Sequence, residues 1–277
     1  MVYDEIASDF NRTRHSPWPA VLSFLRSQPP GALGADIGCG NGKYLIAASR
    51  YSRPNSDDPP IPPLAPILAM DRSMRLADIV RKKGFDVIVA DILRLPYHEE
   101  RLDFFLCIAV LHHLCTSDRR LQAVHELARI LHSGGRGLIQ VWAKEQRDPN
   151  SGRLANYVQS RQRPQNGTHS FRNPIETTEA PTMLEPVQNA RLPVHVPGTE
   201  FSATDMLVSW KKKLRKPADD NTVLDGTTPL LRYYHLFTKG ELEALVEQVP
   251  CLRVENAFYE QGNWAVVVEK VYCVNES

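Results

Sequence analysis

The chain has 277 residues, 42% of them hydrophobic, and its 33 basic and 32 acidic residues leave a formal net charge of +1. That length accommodates one large domain or two modest ones, and that apolar content excludes a chain disordered throughout. The charge balance neither requires nor excludes a nucleic-acid partner, because local clustering matters more than the total.

In chain order, Pro17-Trp18-Pro19 opens a helix through about residue 28, which Pro29-Pro30-Gly31 stops. Residues 33–37 read as a short buried strand, followed at once by glycines and a helix over 43–50. Residues 51–66 are rich in Pro, Ser and Asp and read as a surface insertion. A second strand over 67–70 ends at Asp71, and Ser73 can cap a helix to about residue 83. A third strand over 86–90 ends at Asp91, and a fourth covers 104–110. Leu121, Val124, Ala128 and Leu131 repeat at helical spacing between a Ser117-Asp118 cap and a Gly134-Gly135 stop, and 137–142 is a fifth strand. Residues 145–204 are Pro-, Asn-, Gln-, Ser- and Thr-rich with little periodicity, which predicts a mobile insertion. Thr238-x-x-Glu241 is a capping box for a helix through residue 249. Residues 252–259 and 264–274 look like two last strands, an antiparallel pair.

The alternation predicts an α/β fold, a mostly parallel sheet with helices on both faces. Closed by an antiparallel C-terminal pair, seven strands in all, this single domain over 1–277 resembles the plan of class I (Rossmann-like) methyltransferases, which implies 205–277 as its C-terminal, substrate-facing part. Cys39, Cys107, Cys115, Cys251 and Cys273 are scattered without a C-x-x-C pair, which fits free thiols in a reducing compartment better than a disulfide framework or a zinc site. Met1-Val2-Tyr3-Asp4-Glu5 lacks the basic and apolar regions of a signal peptide. The longest apolar stretch is about half of a ~20-residue membrane span. The expectation is a protein of the cytoplasm or nucleus with no membrane partner.

Asp36-x-Gly38-x-Gly40-x-Gly42 lies between the first strand and first helix. Glycines there let the backbone approach a ligand and adopt positive φ. A dinucleotide site needs G-x-G-x-x-G and an open helix N-terminus for pyrophosphate. Here a carboxylate comes first, which repels phosphate but suits an ammonium group, and the turn resembles the first motif of class I methyltransferases. That resemblance implies S-adenosylmethionine as cofactor, held by Asp36, Gly38, Cys39, Gly40, Asn41 and Gly42. Asp71 can accept ribose hydroxyls, and Asp91 the adenine amino group while Ile92 packs on the ring. Asp71 and Asp91, each taken alone, are more often loop-start or helix-cap residues than ligand groups, but three acidic residues ending successive strands all fall at the ligand-binding edge of such a sheet.

The fourth strand runs into Ala109-Val110-Leu111-His112-His113. Adjacent histidines point in different directions and no third ligand is near in sequence, so no metal is expected. His112 is read as a core or capping residue, and His113 as a substrate-positioning residue facing the transferred methyl, with Ala109 on the cofactor side.

A narrower resemblance is carried by Val2-Tyr3-Asp4-x-Ile6-Ala7-x-x-Phe10-x-x-Thr13-Arg14-x-x-Pro17-Trp18-Pro19, by the glycine turn through Lys43-Tyr44, by Ile108-Ala109-Val110-x-His112-His113 and by Arg119-Arg120. Trp142-Ala143, Leu207-Val208-x-Trp210, Arg232-Tyr233-Tyr234-His235-Leu236 and Gly262-Asn263-Trp264 extend it. Together they resemble the eukaryotic tRNA methyltransferases that esterify wobble 5-carboxymethyluridine, in the stand-alone form related to the methyltransferase domain of AlkB homologue 8. The segments 51–66 and 146–199 look longer than that family carries, and Ser209 stands where proline is expected.

The resemblance implies a tRNA substrate, methyl transfer to a carboxylate, and a small zinc-binding activator subunit. A carboxylate of pKa near 4 is already deprotonated at neutral pH and needs no general base. Catalysis then rests on alignment and desolvation, orientation of this kind contributing ~7–11 kcal/mol, and on a cation to hold the carboxylate. Arg14 is the first candidate and Arg232 the second, though Arg14 also reads as a plain surface arginine. Tyr3 and Phe10 would cover the cofactor, or simply pack in the core. The basic run Lys211, Lys212, Lys213, Arg215 and Lys216 reads either as a solvated loop or as a phosphate-contacting strip, and Tyr233, Tyr234 or Trp142 as stacking partners for an unstacked base. The 86–90 strand would be the sheet's apolar edge, a place for the activator to pair. Rival readings are a small-molecule methyltransferase and a catalytically silent RNA- or partner-binding subunit. The glycine spacing disfavours an NAD-dependent oxidoreductase.

Overall fold

Residues 1–14, 16–51, 60–149, 151–155, 192–210 and 230–272 are described by the structure, a computed structural model. Helices α1 (Val2–Thr13) and α2 (Pro19–Arg26) precede strand β1 (Gly34–Ile37). The chain then alternates through α3 (Lys43–Tyr51), β2 (Leu68–Asp71), α4 (Met74–Lys82), β3 (Ile88–Val89) and β4 (Leu102–Ile108). A 3-10 turn at Leu111–His113 leads to α5 (Ser117–Ile130) and β5 (Leu131–Trp142). Beyond lie β6 (Asp205–Trp210), β7 (Leu230–His235), α6 (Glu241–Glu247), β8 (Leu252–Glu260) and β9 (Asn263–Lys270).

Seven strands form one sheet in the order β3-β2-β1-β4-β5-β9-β8. The first five run parallel, β9 is antiparallel to β5, and β8 is antiparallel to β9. This is the expected class I plan. Alternate residues of β4 feed opposite cores: Phe105 and Cys107 pack with α5 and α6, while Phe104 and Leu106 pack with Leu25 of α2 and Tyr44 and Ala47 of α3. Both rings need glycine beside them. Phe104 pairs with Gly34 and Phe105 with Gly137, and a Cβ at either glycine would meet the facing ring at 2.1 Å.

Several boundaries differ from expectation. α1, not anticipated as a helix, packs on α4 and buries Ile6 and Ala7. Thr116, not Ser117, caps α5, accepting the Arg119 N–H at 3.3 Å. β5 starts at Leu131, with an irregular register opposite β4 around the Gly134-Gly135 that was read as a helix stop. β3 shrinks to two residues but does lie at the sheet's edge. Half of the capping box forms: the Glu241 carboxylate accepts the Thr238 N–H at 2.9 Å, while Gly240, in the left-handed region, occupies the N-cap. β6 and β7 pair antiparallel in a separate two-stranded ribbon.

Of the surface insertion, residues 52–59 lie outside the described residues, but its later part is anchored. Ile61 is buried, and Pro63 and Ala65 hydrogen-bond to Gly31 and Ala32. In the stretch expected to be mobile, 150 and 156–191 lie outside the described residues. Its described ends are tied down: Trp264 Nε1 donates to Glu145 at 2.9 Å, and residues 193–195 bond to Leu207 of β6. No described helix is long and apolar enough to cross a membrane.

Candidate active site

Where β1, β2 and β4 end, a cavity of about 750 Å³ opens beneath α1 and the β6–β7 ribbon. Gly38, Cys39, Gly40 and Asn41 line it, as do Asp71, Asp91, Ile92 and Ala109. Gly38, Gly40 and Gly42 all have positive φ (78°, 58° and 73°), and the Gly38 and Cys39 N–H groups both donate to Met70 O at 2.9 Å. A Cβ on Gly38 would lie 2.4 Å from Val110 Cγ2, so only glycine fits there. Gly42 lies behind the residues that line the cavity and closes the turn, its N–H donating to Cys39 O at 2.9 Å, and a Cβ there would face Val80 of α4. Ala109, a non-glycine at φ 63°, is the one strained residue of the β4 exit that meets the cavity.

Asp36 sits at the end of β1, 1% exposed, and its Oδ2 has no hydrogen-bond partner among the described residues. Burial pushes its carboxyl up to about 7 against the pull of Lys43, and burial brings the Lys43 ammonium down to about 8. Lys43 Nζ lies 4.8 and 4.7 Å from the Trp18 and Tyr44 ring centres. Asp71 is better satisfied: Oδ2 accepts the Gly40 N–H and Oδ1 the Ser73 N–H, each at 2.8 Å, while burial still raises its pKa. Asp91 accepts the Leu93 N–H at 3.1 Å and faces Arg72 at 3.4 Å. Burial also raises the Cys39 thiol, so it stays protonated.

α1 roofs this floor with Tyr3, Phe10 and Arg14. Asp4 fastens it to α4, accepting from Ser73 Oγ at 2.6 Å and the Arg75 N–H at 3.1 Å. Asn41 Nδ2 holds its far end through Arg14 O at 2.9 Å. Burial takes His113 down to about 4, so its ring is neutral. Its Nδ1 lies 3.0 Å from Tyr233 O, which can only accept, so Nδ1 carries the proton and Nε2 accepts from Tyr3 OH at 2.7 Å. His113 therefore ties the roof helix to the ribbon. His112 is a core residue as expected, its Nδ1 accepting the Trp142 N–H at 3.1 Å and its ring stacked on Tyr234.

Both candidate arginines lie near one indole of the ribbon. Trp210 of β6 lies with the Arg14 guanidinium 5.5 Å and the Arg232 guanidinium 4.8 Å from its ring centre. Its Nε1 donates to Asp9 of α1 at 2.9 Å. Arg232 is buried and donates to Tyr234 OH at 2.6 Å, whereas Arg14 is exposed at the cavity rim. Trp142, Tyr233 and Tyr234 also line the cavity, but they differ as stacking surfaces. Tyr234 is 2% exposed with His112 and Trp142 against its ring, which leaves no open face for a base. Tyr233 is half-buried and its hydroxyl is engaged by Asp205. Lys211, Lys212, Lys213, Arg215 and Lys216 lie outside the described residues.

Sequence reasoning gave no role to Trp210, or to His235, which is held between Asp205 and Glu241. Burial works to raise both carboxyls, but hydrogen bonds from Tyr233 and His235 hold Asp205 below the usual carboxylate range, and those from His235 and Thr238 bring Glu241 to about 2; the cluster fastens the ribbon to α6. Only the Thr238-x-x-Glu241 signal hinted at it.

A family model described as a methyltransferase domain matches residues 35–139. The chain resembles in fold a solved S-adenosylmethionine-dependent methyltransferase from Clostridium acetobutylicum, with a TM-score of 0.58 and 10% identity over 98% of this chain and 100% of that one. It is 34% identical to a tRNA (carboxymethyluridine(34)-5-O)-methyltransferase of Schizosaccharomyces pombe, covering 97% of this chain and 94% of the relative. It is 33% identical to the Saccharomyces cerevisiae enzyme of the same name over 97% and 94%. A mouse protein of that name is 36% identical over 98% of this chain, which spans only 43% of the mouse protein. The chain belongs to the tRNA (carboxymethyluridine(34)-5-O)-methyltransferase family.

Proposed function

We propose that this protein transfers a methyl group from S-adenosylmethionine to the carboxylate of wobble 5-carboxymethyluridine in tRNA, giving the 5-methoxycarbonylmethyl ester. The observation that carries the reading is the meeting of Arg14 and Arg232 on Trp210, beside a floor of strand-end carboxylates, in a chain that matches its fungal relatives nearly end to end.

The residues present suit the cofactor. Asp36 offers a buried carboxylate oxygen, without a partner among the described residues, to its ammonium group, the backbone of Gly38 and Gly40 lines the cavity, and Asp71, Asp91 and Ile92 line the space for ribose and adenine. When bound, S-adenosylmethionine supplies an electrophilic methyl group on a sulfonium. The protein's task is then to hold the acceptor carboxylate in line and exclude water. Two guanidiniums match a carboxylate, and packing on one indole limits their rotamers before substrate arrives. No residue has to remove a proton. The neutral, singly tautomeric His113 fits this, being a brace that positions the roof and the ribbon rather than a base.

The partner reading is coarser. Ile88 and Val89 of β3 are exposed at the sheet's edge, where a strand from a small activator subunit can pair. The 211–216 run is assigned to phosphate contacts on the anticodon stem.

Arg14→Lys and Arg232→Lys test the carboxylate role. Each should lower kcat/KM on the tRNA substrate about a hundredfold, as expected for loss of a bidentate charge pair. Cofactor affinity by calorimetry should be unchanged, and wild-type turnover in both variants would end this assignment.

A further inference from the structure

β8 and β9 meet in a two-residue turn, Gln261-Gly262, with both residues at positive φ (48° and 86°). The turn is clamped over the end of β5. Gln146 donates Nε2 to Ala143 O at 2.7 Å and to Gly262 O at 3.2 Å, and a Cβ on Gly262 would strike Gln146 and Ala155. The next residue, Asn263, pairs across the sheet with Trp142. Its Nδ2 donates to Glu260 O at 3.0 Å and Gln261 O at 3.2 Å.

Those two carbonyls decide which way the amide faces, because the flipped amide would set Oδ1 against two acceptors. Oδ1 is thus directed away from the turn. It is a buried acceptor with no hydrogen-bond partner among the described residues, on a side chain 5% exposed that lines the cavity. Buried acceptors are ordinarily paired, so an oxygen braced in this way and left unpaired points to a ligand N–H or O–H.

The strand-end carboxylates and the two arginines of the cavity already match other parts of the bound pair. Asp36 suits the cofactor ammonium, Asp71 and Asp91 its nucleoside, and the arginines the acceptor carboxylate. The acceptor base remains. Its uracil ring has one ring donor, the imide N3–H, whereas cytosine carries a lone pair at that position. We propose that Asn263 reads the acceptor base, its Oδ1 accepting the N3–H, and so admits uridine and disfavours cytidine. This rests on the wobble-uridine reading above and adds to it a residue for base specificity.

The test uses the full chain, S-adenosylmethionine and three anticodon stem-loops bearing 5-carboxymethyluridine, its N3-methyl derivative or 5-carboxymethylcytidine at the wobble position. The wild type should prefer the first over the other two by about a hundredfold in kcat/KM, the scale for leaving buried polar groups unpaired. Asn263→Ala should lose about tenfold or more on the uridine substrate and reduce the preference to a few-fold, with cofactor Kd unchanged. The N3-methyl substrate gives the same readout without altering the protein, so it stands even if Asn263→Ala weakens the turn. Equal use of the N3-methyl substrate by wild type, or full preference in Asn263→Ala, overturns the proposal. Loss of cofactor affinity with the preference intact overturns it too, placing Oδ1 on the methyl donor instead. No transfer to any of the three by wild type would instead defeat the wobble-uridine reading, and the base-reading role with it.

Discussion

Burial places the Asp36 carboxyl where charge is costly even beside Lys43, which couples folding and pH and, on the proposed cofactor role, ligand binding at one residue. Its folded-state pKa of about 7 lies above the 3.8 of an exposed aspartate. The ligand-free fold is therefore least burdened at low pH, and destabilisation accumulates as pH rises from about 4 through 7. Asp36→Asn should raise the Tm of the ligand-free protein at pH 8, by several degrees for each few kcal/mol relieved, with no gain near pH 4, and should abolish measurable cofactor binding. Wild-type cofactor affinity should weaken as pH falls below about 7. A lower Tm for Asp36→Asn at pH 8 would contradict this account. Tyr3→Phe removes one hydrogen bond to His113 and should raise cofactor Kd about two- to tenfold, the range for a net hydrogen bond of ~0.5–1.5 kcal/mol, as read by calorimetry. That Gly38 and the acidic strand ends Asp71 and Asp91 gather at one cavity was legible in sequence because their placement follows from local chain geometry. Trp210, Asn263 and Gly42 were not, since what each faces depends on elements distant in the chain.

The parallel strands and their helices were readable because buried strands and amphipathic helices have distinct periods. α1 was missed as a helix: it has no side-chain N-cap bond, and its buried face is only Ile6 and Ala7, completed by contacts made elsewhere in the fold. The β6–β7 ribbon was also missed, although Asp205–Trp210 alternates buried and half-buried positions as a strand should. Its pairing spans residues 211–229, a separation that no local pattern reports. The edge strand carries a prediction at this scale. Replacing both Ile88 and Val89 with lysine should abolish co-purification of a co-expressed activator subunit and leave cofactor affinity unaltered, because the pair is exposed and absent from the cavity wall. Retained co-purification would remove β3 as the docking edge.

For the whole molecule, the floor of the cavity comes from the sheet, the roof from α1, and a further wall from the ribbon and the β8–β9 turn. Fold class was legible from strand–helix alternation, but the convergence of roof and ribbon on Trp210 appears only in three dimensions. This division of labour makes carboxylate methylation the natural chemistry, since the site supplies cations and alignment rather than a base. The decisive measurement is transfer of radiolabelled methyl from S-adenosylmethionine to tRNA bearing wobble 5-carboxymethyluridine, with and without the activator subunit. The expected product is a base-labile methyl ester at the wobble position, formed faster with the activator. Label on a ring atom, or none on this tRNA while a small carboxylic acid is methylated, would contradict it.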